Sequence, residues 1–389
     1  MRHLLELFFF FILLMALPDW YIYRHYIKQW KNRWLRWLYW VPSIALFISM
    51  CFLFLGFSPE FGLAQLGMFL VVFLCVNVPK ALFTIITALF KGLQRITNHH
   101  CYGSYIGLGI SLFAMAYLIF GATEGKQYFQ VKEVTIESKE VPQGFDGYRI
   151  VHLSDMHIGS WNGNTQAMEK AVSMINDLQP DLIVFTGDLV NNLASELDHF
   201  IPVFAKLKAK DGVYSVLGNH DYSTYIHWEN PEDQKEELVR LKQKQAKMGW
   251  IMLNNQHVKL YQNNDSISLI GVENSGRPPF PDYANLSAAM QGTEGTFQIL
   301  LSHDPTHWRR EVLPQTDIQL MLAGHTHAMQ TKIFGFTPSQ FIYPENDGLY
   351  REGEQMLYVN IGLGHLLYPM RLGAWPEITL LTLKKKSNK

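Results

Sequence analysis

Seven side chains able to bind metal follow short apolar runs in the second half of this chain: Asp155, His157, Asp188, Asn219, His303, His325 and His327. They sit in the stretches SDMHIG, GDLVNN, GNHD, SHDP and AGHTH, which follow YRIVHL, DLIVFT, VYSVL, FQILL and IQLML. Carboxylate, amide and imidazole donors together favour Mn, Fe, Zn or Co over the all-oxygen shells of Ca or Mg. Seven donors suit two divalent ions. Each stretch alone has a plain structural reading: Gly-Asp is a common turn, His-Asp-Pro can cap a helix, and a lone strand-end histidine is usually just hydrogen-bonded. Five of them in succession, each after a strand-like run, point to a site.

The elements that must position these groups follow from the same pattern. Continuous apolar runs of this length, bounded by Gly or polar turns, read as strands buried on both faces. Between them lie helical intervals. Residues 165–178 carry Met168, Ala171, Val172, Ile175 and Leu178 at helical spacing, with Asn164 as N-cap. Strands alternating with helices predict an α/β domain whose ligands bind at the carboxyl ends of the strands. The charged run NPEDQKEELVRLKQKQAK (230–247) reads as a solvated helix. All three cysteines, Cys51, Cys75 and Cys101, precede this half, which therefore has no disulfide framework and no Cys-based zinc site.

The series D-x-H, G-D, G-N-H-D, H and G-H-x-H resembles the calcineurin-like metallophosphoesterase superfamily. It appears as Asp155/His157, Gly187–Asp188, Gly218–Asp221, His303 and Gly324–His327. The lead-in VPQGFDGYRIVHLSDMHIG and the ending YVNIGLGHLLYPMRLGAWPEITLLTL resemble its bacterial membrane-anchored phosphodiesterase branch. The resemblance covers residues from about 130 to 389 and implies a two-sheet sandwich flanked by helices. It also implies that Asp155, His157 and His327 hold one metal, that Asn219, His303 and His325 hold a second, and that Asp188 bridges them. One departure is Ala328–Met329, where many branch members carry two glycines; bulkier residues there are expected to narrow the pocket or move the backbone.

Residues 1–125 differ in kind. Phe, Leu, Ile, Trp and Tyr dominate them, and about four stretches approach the roughly 20 apolar residues a membrane-spanning helix needs: 4–23, 39–57, 63–79 and 104–122. The first contains Glu6, Pro18 and Asp19 and is followed by no small-residue cleavage site, so it reads as a retained span. The third continues past Lys80 to Phe90. Arg24, Lys28, Lys31, Arg33 and Arg36 lie after the first stretch, none lies in FSPEFG, and Lys80, Lys91 and Arg95 precede the fourth. The positive-inside rule then leaves residues 126–389 outside the cytoplasm. Spans without intramembrane charge pairs give a transporter little support, and NHHC (98–101) reads as a loop and not a metal cluster.

The expected organisation is a four-helix transmembrane region (1–125) and an α/β metallophosphoesterase domain (126–389). The expected activity is a dimetal phosphoesterase of a bacterial inner membrane, its catalytic domain extracytoplasmic. It would cleave a phosphodiester or pyrophosphate, in a lipid-linked or envelope substrate, by attack of a metal-bridging hydroxide. Two metals about 3.5–4 Å apart can hold that hydroxide and clamp a phosphate. His220 is the expected proton donor to the leaving oxygen, with Asp221 orienting its imidazole. The partners implied are the bilayer and the phosphate ester. A net charge of −1 argues against a nucleic-acid partner. Alternatives are a cytoplasm-facing pyrophosphatase of the UDP-diacylglucosamine type and a non-enzymatic membrane scaffold with structural metals. IFGFTPSQFIYP (333–344) either packs on its own domain or forms a lipid-facing or substrate-gripping hairpin. Arg371 reads as a phosphate contact or a surface salt bridge.

Overall fold

The computed structural model describes residues 2–55, 63–99 and 102–387. The FSPEFG loop and the last two residues of NHHC lie outside them. The described chain divides into two compact units, Met1–Gly125 with Leu367–Met370, and Lys126–Leu366 with Arg371–Lys389.

The first unit is helical: α1 (Arg2–Ile22), α2 (Arg33–Leu38), α3 (Val41–Leu55), α4 (Leu63–Thr97) and α5 (Gly103–Thr123). Among the described residues three segments are long and apolar enough to cross a membrane, Arg33–Leu53, Gln65–Thr97 and Gly103–Gln127. The sequence suggested about four. The first stretch is helical and contains Pro18, and several of its side chains lie outside the described residues. α4 runs unbroken through Pro79 and Lys80 over 35 residues. Met15, Leu46, Met50, Phe69 and Phe73 pack together and join α1, α3 and α4.

The structure corrects one reading of this unit. Lys80 has a partner: its Nζ lies 2.8 Å from Asp19 Oδ1 and 2.9 Å from Ser43 Oγ. Tyr39 donates to the same carboxylate oxygen at 3.1 Å, and Asp19 is 1% exposed. The expectation of no such pair failed because its partners are 61 residues apart in sequence.

The second unit holds two six-stranded sheets. Its strands are β1 (Gln130–Ser138), β2 (Arg149–Leu153), β3 (Leu182–Phe185), β4 (Val213–Ser215), β5 (Ile251–Met252), β6 (Gln256–Gln262), β7 (Asp265–Gly271), β8 (Phe297–Leu301), β9 (Leu320–Ala323), β10 (Gly348–Glu352), β11 (Gln355–Val359) and β12 (Glu377–Lys385). The first sheet has the order β1-β12-β2-β3-β4-β5 and the second β10-β11-β9-β8-β7-β6. β2 to β5 are parallel, as are β7, β8, β9 and β11.

Period-two alternation explains the continuous apolar runs. Ile150, Leu182 and Val184 face Ile299, Leu301, Leu320 and Leu322 between the sheets. Their neighbours Val151, Leu153, Ile183 and Phe185 face outward onto α6 (Gln166–Asp177), through Met168, Ala171 and Val172. On the far side of the second sheet, Leu300, Met321 and Ala323 pack on Trp308 and Val312. Both faces of the central strands are therefore buried, and no polar face is required. The expected two-sheet sandwich with flanking helices is present. Asn164 Oδ1 accepts from the Gln166 N–H at the start of α6, 3.1 Å away.

The charged run forms a helix, Pro231–Lys247, but it is more than a solvated one. Glu237, Leu241 and Gln245 are buried on it, and Glu237 accepts from the Ala194 N–H at 2.6 Å.

Lys80→Met should strand the Asp19 carboxylate and destabilise the full chain in detergent by about 3–5 kcal/mol, the usual cost of breaking a buried pair from one side. Asp19→Asn combined with Lys80→Met should recover most of that loss. Thermal unfolding of wild type, single and double variants decides it; equal melting of all three would rule out a structural pair.

Candidate metal centre

The five turns singled out in the sequence converge at the carboxyl ends of β2, β3, β4, β8 and β9. Their backbone is unusual. Asp155, His157, Asp188, His325 and His327 all have positive φ, between 43° and 72°. Non-glycine residues pay about 1 kcal/mol or more for that conformation, and such strain collects at functional sites. The left-handed turns let alternate residues of one short loop, such as Asp155 and His157, aim at a common point just past the strand end.

Close approach of the loops needs glycine at several places, two of them against the carboxylates. A Cβ on Gly218 would lie 2.2 Å from Asp188 Oδ1, and one on Gly324 would lie 2.4 Å from Asp155 Oδ2. No larger side chain fits either position without moving a carboxylate.

Two groups of donors result. Asp155, His157 and His327 each offer an atom within 4.8 Å of the others, and Asp188, His303 and His325 form a second such group. In the first, His157 Nε2 and His327 Nε2 are 3.0 Å apart, and His327 Nε2 is 3.2 Å from Asp155 Oδ1. In the second, His303 Nε2 lies 3.2 Å from Asp188 Oδ2, from Asn219 Oδ1 and from His325 Nδ1. Asp188 Oδ2 is also 3.6 Å from His157 Nε2, so one carboxylate oxygen reaches both groups.

The electrostatics describe a place that asks for positive charge. Burial pushes the Asp155 carboxyl upward, but His327 and His303 hold it below its usual range. Asp188 is likewise held well down by His303 and His220 against its burial. Burial lowers His157 and His325. Burial opposes protonation of His303 too, yet Asp188 raises it to about 10. Imidazole nitrogens 3.0–3.2 Å apart repel unless a proton or cation lies between them. Buried anions and facing nitrogens of this kind fit divalent cations.

The surrounding hydrogen bonds fix the donors. His303 Nδ1 donates to the Thr186 carbonyl at 2.7 Å, which turns Nε2 toward Asp188, where a cation would take the place of its proton. His325 Nε2 pairs with Tyr343 Oη at 3.0 Å, and Asn219 Nδ2 donates to Tyr225 Oη at 2.8 Å. Asp155 accepts the His325 N–H through both oxygens.

His220 lies among them, its ring 4.9 Å from that of His157 and 4.4 Å from that of Tyr225. Its Nδ1 is 2.7 Å from the Asn191 carbonyl, and its N–H donates to Asp188 Oδ1. Here the structure departs from expectation: Asn191 orients the imidazole, and Asp221 does not. The Asp221 carboxylate is fully buried and accepts the backbone N–H groups of Asp188, Leu189, Val190 and Gly218 at 2.9–3.3 Å. It ties the β3 turn to the β4 turn.

Arg371 is neither a surface salt bridge nor exposed for phosphate. It is 0% exposed, donates to the carbonyls of Gly364, Ala374 and Ile361, and reaches to 3.4 Å from His327 Nδ1. Ala328 and Met329 have φ of 48° and 45°, so they keep a backbone that glycine would adopt without cost. Ala328 packs on Ile361 and Ala374. Asn191, Tyr225, Tyr343 and Thr186 were not foreseen, since two act through backbone carbonyls, which carry no side-chain signature, and the tyrosines resemble ordinary half-buried aromatics.

A profile of the calcineurin-like phosphoesterase family matches residues 148–329. One described as the transmembrane domain of a probable calcineurin-like phosphoesterase matches residues 1–126. The transmembrane protein with metallophosphoesterase domain of Danio rerio is 33% identical over 294 residues, covering 73% of this chain and 64% of the relative. This chain thus spans just under two thirds of that relative's length. The uncharacterized metallophosphoesterase YkuE of Bacillus subtilis is 32% identical over 264 residues, covering 66% of this chain and 85% of the relative. The sulfate thiohydrolase SoxB of Thermus thermophilus superposes with a TM-score of 0.37 at 15% identity, covering 63% of this chain and 58% of that one.

Asp221→Ala leaves buried N–H groups without an acceptor, at about 1–3 kcal/mol each. The variant should therefore lose at least about 3 kcal/mol of stability and exchange its Asp188, Leu189, Val190 and Gly218 amides faster. Hydrogen exchange read at those amides checks this; unchanged protection would refute the role.

Proposed function

This chain belongs to the calcineurin-like metallophosphoesterase family, and from that premise we propose that it is a membrane-held phosphoesterase cleaving a phosphodiester or pyrophosphate through two divalent metals. The observation that carries the reading is the pair of donor groups sharing Asp188 Oδ2. In it Asp155, His157 and His327 would hold one ion, Asn219, His303 and His325 would hold the other, and Asp188 would serve both. Asp188 suits the shared place because a carboxylate has two oxygens, and Asn219 adds an oxygen donor without further negative charge. When bound, such ions supply Lewis-acid activation of water and neutralise phosphate charge.

The remaining work falls to the chain. His220 is held at two points, its N–H by Asp188 and its Nδ1 by the Asn191 carbonyl. With Nδ1–H committed there, Nε2 is the atom that passes a proton to the leaving oxygen. Asp221 contributes by holding the turns that present Asp188 and Asn219. Tyr225 and Tyr343 fix the rotamers of Asn219 and His325 from the outer side.

A lipid or envelope component is the proposed substrate class, because a membrane-held enzyme keeps its site near the bilayer. Loop charges support an extracytoplasmic catalytic domain in a bacterial inner membrane. That sidedness does not depend on whether α1 spans. Once the Arg/Lys-rich loop 24–36 is cytoplasmic, the three candidate spans after it leave residue 126 on the other side. Neither the cytoplasm-facing pyrophosphatase nor the scaffold reading gains support from the site.

Purified full-length chain should carry about two equivalents of transition metal and hydrolyse bis(p-nitrophenyl) phosphate, with loss of activity on chelation. His220→Ala should keep its metal while turnover falls about 10²–10⁴-fold, whereas Asp188→Asn should lose metal and turnover together. Wild-type turnover in the His220 variant would remove its catalytic role. A C-terminal reporter active only outside the cytoplasm should give signal; silence there, with a cytoplasmic reporter active, would reverse the topology.

A further inference from the structure

The segment 333–342 next to the site leaves large apolar side chains about half exposed or more. Ile333, Phe334, Phe336, Phe341 and Ile342 are 46, 105, 49, 81 and 59% exposed. Soluble surfaces rarely gather such side chains in one place, and where they do the patch marks a protein or membrane contact. We propose that this hairpin inserts into the acyl region of a lipid bilayer, beside the metal-donor cluster.

The geometry is that of a stiff, apolar tip on a polar base. Ile333 and Phe336 exchange both backbone hydrogen bonds, at 2.9 and 3.0 Å, around Phe334 and Gly335. Both central residues have positive φ, 51° and 82°, the signature of a tight two-residue hairpin turn. A phenylalanine at that φ is strained, and at the tip it gains no packing from its own domain in return. Phe336 and Phe341 meet edge to face, 5.6 Å apart, on the stem. Below them the chain is anchored: Thr337 Oγ1 donates to the Ala328 carbonyl at 2.5 Å, and Ser339 Oγ donates to Asn346 Oδ1 at 3.3 Å.

Lipid fits this tip better than a protein surface for two reasons. No residue from 333 to 344 is charged, and the charges at its two ends, Lys332 and Glu345, are paired within the domain with Asp347 and Arg309, which suits an apolar wedge whose base makes no charged contact of its own. The same chain carries bilayer-spanning helices, so a membrane is its permanent neighbour and the contact is effectively intramolecular. The hairpin is also continuous with the site. Tyr343, one residue past Ile342, pairs with His325 Nε2, so insertion would bring the donor cluster close to the bilayer surface. The inference goes beyond phosphoester hydrolysis and stands without it.

The test uses the full chain in nanodiscs of phosphatidylethanolamine and phosphatidylglycerol, with Cys51, Cys75 and Cys101 replaced by Ala. An environment-sensitive fluorophore is attached through Phe334→Cys, or through Phe341→Cys should the first variant fail to fold. Tyr261→Cys, an exposed position (71%) on β6, serves as reference. Insertion predicts blue-shifted emission at 334 or 341, quenched by lipids carrying nitroxide on their acyl chains, with neither effect at 261. Water-like emission at both hairpin positions overturns the proposal. Blue-shifted emission that acyl-chain nitroxides leave untouched also overturns it, and assigns the hairpin to a protein contact, with a second copy recognised by dilution. Hydrolysis of bis(p-nitrophenyl) phosphate by the same samples is read separately. A bilayer signal without hydrolysis would sink the enzymatic reading and leave insertion standing.

Discussion

Three buried carboxylates, Asp155, Asp188 and Asp221, are the constraint around which the metallophosphoesterase-like domain is arranged. A bare carboxylate in such a place would cost several kcal/mol, so each must be met by donors or by positive charge. Asp221 is met entirely by backbone N–H groups from the turns after β3 and β4. Asp155 takes the His325 N–H through both oxygens, which draws the turn after β2 to the turn after β9. Asp188 takes the His220 N–H through one oxygen and leaves the other toward the imidazoles. The charges thus assemble the loops, and the loops come from both sheets.

That arrangement explains why the backbone tolerates so much local strain. Left-handed conformations recur at Asp155, His157, Asp188, His325 and His327, and again at Ala328, Met329 and Gln330. The sandwich beneath supplies the compensating rigidity, since its strands are packed on both faces by Ile, Leu, Val and Phe. Ala328 and Met329 show the balance most clearly. A glycine pair would relieve the dihedral cost, yet Ala328 gives a methyl to the small cluster with Ile361 and Ala374. The backbone path is held by its surroundings and does not depend on glycine.

Much of this was legible in the sequence because the signals were local. Apolar runs of four to six residues ending in Asp, Asn or His revealed the strands, their ends and the donors, and the membrane half announced itself by composition. What escaped was carried by long-range or backbone contacts. Asp221 stands next to His220 in GNHD, so adjacency suggested that one orients the other; the fold instead turns its carboxylate back onto amides 31 to 33 residues away. Asn191 orients His220 through a carbonyl, which every residue possesses. Lys80 looked like the end of an apolar stretch because hydropathy has no term for Asp19, 61 residues earlier. Arg371 suggested a surface cation, but its guanidinium is spent on three backbone carbonyls.

The two units therefore meet a shared problem in different ways. In the helical unit, Asp19 is balanced by a lysine and a tyrosine supplied by separate segments, the lysine also donating to Ser43, and the pair holds helices together. In the catalytic unit, the balancing donors for Asp155 and Asp188 include imidazoles that are themselves crowded nitrogen to nitrogen. A lysine closes a charge pair by itself. Crowded imidazoles leave it open, and facing nitrogens beside buried carboxylates fit cations. The difference in donor type separates a carboxylate neutralised within the fold from carboxylates left facing crowded imidazoles, although all of them are almost completely buried.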